Sequence, residues 1–156
     1  MISHKIYIKN EQEKEAYTPA MRSYIQAAIR DTLAYEEFED ACEVSVTLTD
    51  NAGIRKLNEE YRGNDKETDV LSFPLFDGEY TEDDLVDGYL PLGDVVISLE
   101  KAREQAESIG HNINVEVAFL CVHSTLHLLG YDHETSPEDE AEMFGIQEKI
   151  MERFRR

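Results

Sequence analysis

Three of the chain's five histidines fall within the eleven residues His123-Ser-Thr-Leu-His127-Leu-Leu-Gly130-Tyr-Asp-His133, and their H-x3-H-x5-H spacing is that of a metal site. Residues four apart on an α-helix lie one above the other, so His123 and His127 can present their imidazoles to a single ion. Gly130 suits the left-handed turn that commonly follows a helix C-terminus, and such a turn can return His133 as a third ligand. Three neutral imidazoles leave one position of a tetrahedral ion open. Structural zinc sites usually fill all four positions with protein atoms, whereas an open position admits water or substrate and permits chemistry. An ion held in this way can activate water and polarise a carbonyl or phosphoryl oxygen, which points to hydrolysis. Zinc peptidases of the H-E-x-x-H type carry a glutamate directly after the first histidine as general base; here that residue is Ser124. The carboxylates Asp132 and Glu134 are candidates to hold a ligand's second ring nitrogen or to act as base.

The histidines need a rigid support, and hydrophobic patterning supplies one. Residues 112–129 are apolar on nearly every side, which predicts a central, buried helix. Ahead of it, residues 2–8 alternate around Ile6 and Ile8 as a short strand. Thr18 and Pro19 suit the N-cap and first position of a helix whose stripe runs from Met21 to Leu33. Residues 43–49 alternate as a half-buried strand. Asp50 caps a helix that should end at Arg62 and Gly63. Residues 68–74 form a strand closed by Pro74, and the acidic stretch 76–88 reads as a loop with room for a helical turn. A strand resumes at Tyr89, with Gly93 as a bulge or close-approach point, and Ser98 caps a helix reaching Ile109. Ser136 and Pro137 open a final helix bearing Met143, Ile146, Ile150 and Phe154. The expected architecture is α+β: about four strands in a mixed sheet packed with about five helices, all in one domain over residues 1–156.

Composition limits the partners. The 156 residues carry 15 Lys+Arg against 34 Asp+Glu, a net charge of −19, which disfavours a broad electrostatic grip on nucleic acid or on an anionic membrane. Any contact with phosphates must be local, and Arg55, Lys56, Arg62 and Lys66 form the small basic run available for it. Cys42 and Cys121 are too few for a disulfide framework or a cysteine zinc cluster. With no apolar signal-like start and no run long enough to span a bilayer, a cytoplasmic, membrane-free protein is expected.

The histidine run closely resembles the signature of the bacterial YbeY family, metal-dependent endoribonucleases of ribosomal RNA processing. The likeness extends through Leu57-Asn with Tyr61-Arg62, residues 68–74 (Thr-Asp-Val-Leu-Ser-Phe-Pro), and residues 93–98 (Gly-Asp-Val-Val-Ile-Ser), in the family's order. Ser124 departs from it, since the family usually has glycine there. The resemblance implies that His123, His127 and His133 bind zinc or a similar ion. It also implies that Arg62 contacts the scissile phosphate, so Arg62 and His123 are the residues on which cleavage is expected to depend. A guanidinium suits that role through planar, charge-assisted hydrogen bonds to phosphate oxygens. Ser72, Asp94 and Asp69 fall inside matching motifs, and Ser72, Asp94 and Asp132 are candidate supports for the ligands.

The implied activity is cleavage of single-stranded RNA during maturation of the small-subunit ribosomal RNA 3′ end and in ribosome quality control. The implied partners are ribosomal RNA and the ribosome or its proteins, with no DNA. A ribosomal partner would supply the affinity that the acidic chain lacks. Two other functions remain compatible with the residues: another zinc-dependent hydrolase, such as a peptidase with a different base, and a non-enzymatic ribosome-assembly factor with a structural metal.

Overall fold

The computed structural model describes residues 2–76, 79–131 and 136–155. Among these, four strands and five α-helices alternate in the order β1 (Lys5–Asn10), α1 (Pro19–Tyr35), β2 (Cys42–Thr49), α2 (Asn51–Arg62), β3 (Val70–Pro74), β4 (Leu90–Ser98), α3 (Leu99–Ile109), α4 (Ile113–Leu128) and α5 (Pro137–Met151), with 3-10 turns at Glu82–Asp84 and Glu152–Arg155. The strands form one mixed sheet in the order β1-β2-β4-β3: β1, β2 and β4 run parallel, and β3 pairs antiparallel with β4 at the edge. The α+β expectation is met.

Local chemistry sets the helix starts. The side chains of Thr18, Asp50, Ser98 and Ser136 each accept from a backbone N–H of the first turn, satisfying a group that the helix leaves without an intrahelical partner. At the C-terminus of α2, Gly63 takes the left-handed conformation at φ 67°. Strand limits differ slightly from the sequence reading. β1 begins at Lys5 because the preceding His4 uses its Nδ1 to accept from Cys42 N at 2.9 Å instead of entering the ladder. β3 begins at Val70, whose N–H is taken by the Asp69 carboxylate at 2.7 Å. Asp69 is thereby a strand cap.

The sheet has two unequal faces. On one, Val44, Val46 and Leu48 of β2 with Val95 and Ile97 of β4 meet Ile25, Ile29 and Leu33 of α1 and Val117, Leu120 and Cys121 of α4, all buried. Each such side chain contributes roughly 1.5–3 kcal/mol on leaving water. On the other, Leu71 and Val96 form a smaller cluster with Ile54 of α2, flanked by Leu57 and Phe73. α4 touches α1, α3, α5, β3 and β4, which makes it the central helix expected from its composition.

Gly93 lets α4 approach the sheet edge. A Cβ there would lie 2.3 Å from Phe73 O and 3.0 Å from Leu128 Cδ2, and its φ of +148° excludes most side chains. The pairing with β2 also shifts here, from Glu43 opposite Pro91 to Val44 opposite Gly93. Gly93→Ala is therefore expected to destabilise the fold by about 2–4 kcal/mol, through backbone strain plus overpacking. Denaturant unfolding measures this, and a shift in midpoint equivalent to under ~0.5 kcal/mol would contradict the close approach.

Candidate metal and phosphate site

One stripe of α4 escapes burial. Val115, Phe119, His123 and His127, spaced four apart, are each half-buried, while most of the helix is buried. The Phe119 and His123 rings stack at 6.3 Å between centroids, and the His123 and His127 rings meet edge-on at 4.6 Å. Their Nε2 atoms converge to 3.1 Å. For an ion with metal–nitrogen distances of about 2.0–2.1 Å, tetrahedral geometry puts neighbouring donors about 3.3 Å apart, so the pair fits two ligands of one zinc-sized ion.

The ring orientation of His123 is set from α5. Its Nδ1 lies 2.7 Å from Gln147 Oε1, a carbonyl oxygen that can only accept, so Nδ1 carries the proton and Nε2 presents a lone pair. Gln147 is buried at 1% exposure, and its Nε2 has no hydrogen-bond partner among the described residues. The sequence reading missed it. The available signal was a polar residue inside an apolar stripe, with Met143 four residues before it and Ile150 three after.

Arg62 lies at the open edge of the sheet. Its Nη2 donates to Ser72 O at 2.6 Å, and its Cζ sits 5.6 Å from the centre of the Phe73 ring. Ladder bonds at Asp69 O and Leu75 N turn the odd residues of β3 toward β4, so the Ser72 carbonyl points outward from the edge. Among the described residues this is the guanidinium's single hydrogen bond, made by an exposed residue with further N–H groups to offer. The Ser72 hydroxyl turns the other way and meets Ser124 Oγ at 2.5 Å. Ser124, fully buried and directly after His123, thus joins the histidine helix to the strand that Arg62 grips.

The remaining candidates divide. Asp94 is exposed and pairs with Phe73, on the sheet face opposite Val95 and Ser72, so the structure does not bring it to the histidines. Asp132, His133 and Glu134 lie outside the described residues. Among the described residues no three His, Cys, Asp or Glu side chains gather around one point. Burial pushes the thiols of Cys42 and Cys121 up to about 12, which removes both as thiolate ligands or nucleophiles near neutrality.

The model of one protein family, described as Endoribonuclease YbeY, matches residues 7–155. The chain belongs to that family. Among YbeY relatives, the Endoribonuclease YbeY of Caldanaerobacter subterraneus is 51% identical over 154 residues, covering 96% of each chain. That of Caldicellulosiruptor saccharolyticus is 45% identical over 152 residues, covering 95% of this chain and 96% of the relative. The solution structure of TM1509 from Thermotoga maritima superimposes with a TM-score of 0.63 at 27% identity, over 94% of this chain and 87% of that one. The YbeY match includes α2, β3 and α4, the three elements that carry Arg62, Ser72 and the histidine pair.

Proposed function

We propose that this chain is a single-domain, metal-dependent endoribonuclease over residues 1–156 that cuts single-stranded RNA in ribosomal RNA maturation. The small-subunit 3′ end and ribosome quality control are its setting. The observation that carries this reading is the convergence of the His123 and His127 Nε2 atoms to 3.1 Å in a chain of the Endoribonuclease YbeY family. His123, His127 and His133 are the ligands we assign to one zinc ion, which supplies Lewis-acid charge at a phosphoryl oxygen when bound. Arg62 directs its open N–H groups at the scissile phosphate and stabilises the charge that develops there. Gln147 holds His123 in the tautomer whose Nε2 carries the ligating lone pair. The general base is none of the three histidines, since each uses its lone pair on the ion.

A ribosomal partner in the cytoplasm is the natural source of affinity for a chain of net charge −19. Among the described residues no helix is long and apolar enough to cross a membrane. The peptidase reading lacks its base: the position that a zinc peptidase gives to glutamate holds Ser124, buried and engaged with Ser72. Incubating the protein with a single-stranded RNA and with unstructured peptides separates the two. RNA cleavage alone is expected, and cleavage of peptide alone would overturn the proposal.

Gln147 supports a second test. Gln147→Leu removes the acceptor on His123 Nδ1 and is expected to weaken metal binding by about 10–100-fold, whereas Gln147→Glu keeps an acceptor there and retains binding. Gln147→Leu also leaves the His123 Nδ1–H without its acceptor, so stability of the metal-free protein should fall by about 1–3 kcal/mol. Titration against a chromophoric chelator reads the affinity. Unchanged affinity in Gln147→Leu would remove this residue from the site.

A further inference from the structure

We propose that Tyr61 is a stacking platform for an unpaired nucleobase beside the cut, an inference that rests on the endoribonuclease reading above. At 62% exposure Tyr61 is the most exposed aromatic residue among the described residues. The ring is held in place: it meets Phe73 edge-on, with centroids 5.5 Å apart and planes at 70°. The same Phe73 ring lies under the Arg62 guanidinium at 5.6 Å. Tyr61 and Arg62 are the last two residues of α2, and successive helical side chains diverge by about 100°. Arg62 therefore turns toward the outward carbonyl of Ser72, while Tyr61 leaves a ring face open to solvent.

The ring lies with Phe73 on the α2 face of the sheet, and contacts around the open edge of β3 link it to the histidine helix on the other face. Tyr61 touches Phe73, Arg62 spans Phe73 and Ser72, and Ser72 meets Ser124 next to His123. A phosphate held by Arg62 would place a neighbouring base within reach of Tyr61. Charge explains why stacking is needed: at −19 the protein cannot hold RNA through many phosphate contacts. Stacking on an aromatic ring provides affinity without regard to sequence, and it requires a base whose face is not already covered in a duplex. The platform thus selects single strands and contributes little salt dependence.

The chain contains no tryptophan, so Tyr61→Trp introduces a single indole at the proposed platform. Single-stranded RNA is expected to quench its emission and blunt-ended duplex RNA to leave it unchanged. In steady-state cleavage by the metal-loaded enzyme, Tyr61→Ala and Tyr61→Leu should raise KM roughly ten- to hundredfold with kcat little altered. Tyr61→Phe and Tyr61→Trp should stay near wild type, and thermal stability should hold in all four. Unquenched emission, together with a Tyr61→Ala KM equal to wild type, would overturn the platform while leaving the endoribonuclease reading intact. Failure of the wild type to cut any RNA would instead overturn that reading.

Discussion

A His127→Ala variant is expected to fold, to lose its tightly bound metal, and to lose RNA cleavage by a hundredfold or more. Binding free energies of structural zinc sites are about 10–16 kcal/mol, or roughly 3 kcal/mol for each ligand, so removing one imidazole lowers affinity by two orders of magnitude or more. The fold should survive because His127 is only half-buried and lies toward the C-terminal end of α4, whose buried positions are occupied by Leu120, Val122, Leu126 and Leu128. Alanine is also the better helix former. Metal content per chain, circular dichroism and cleavage of a short RNA by the same preparation check the three parts. Retained metal with full activity would remove His127 from the site, and loss of fold would assign it a structural role.

Arg62→Ala is the second large effect, and it should leave metal content untouched. A preorganised donor aimed at developing charge accounts for about 100- to 1,000-fold in rate. Arg62→Lys should recover only part of that, since an ammonium is a point charge without the planar fork of a guanidinium. The competing role is visible in the structure: Arg62 also caps the open edge of β3 at Ser72 O and packs on Phe73. If that were its whole function, Arg62→Ala would lower stability by about 1 kcal/mol and leave cleavage unchanged. Measuring the unfolding midpoint and kcat/KM on one preparation separates the two, and a rate loss much greater than any stability loss is expected.

How much was legible before the fold was known follows from the range of the forces involved. Caps at Thr18, Asp50, Ser98 and Ser136 could be read because they depend on side chains within three residues of the N–H they satisfy. The placement of His123 and His127 on a buried central helix was equally local, a matter of spacing and apolar content. Gln147 was not legible, because its partner lies 24 residues away on another helix and only the packing of α5 on α4 joins them. Likewise the Arg62 contact requires knowing that β3 is an edge strand with Ser72 O turned outward, which is a property of the strand order. Asp94 shows the limit of motif reasoning. Alternation says that Asp94 and Val95 point to opposite faces, but only the pairing with β3 tells which face holds Ser72 and α4. Ser124 gains meaning in the same way, from a hydroxyl partner 52 residues distant.

The most direct test is cleavage of one defined single-stranded RNA by protein stripped of metal and then titrated with zinc. Activity is expected to be absent from the metal-free protein, to rise in proportion to bound zinc, and to saturate at one ion per chain, with no restoration in His127→Ala. Undiminished cleavage by protein verified to be metal-free would contradict the account.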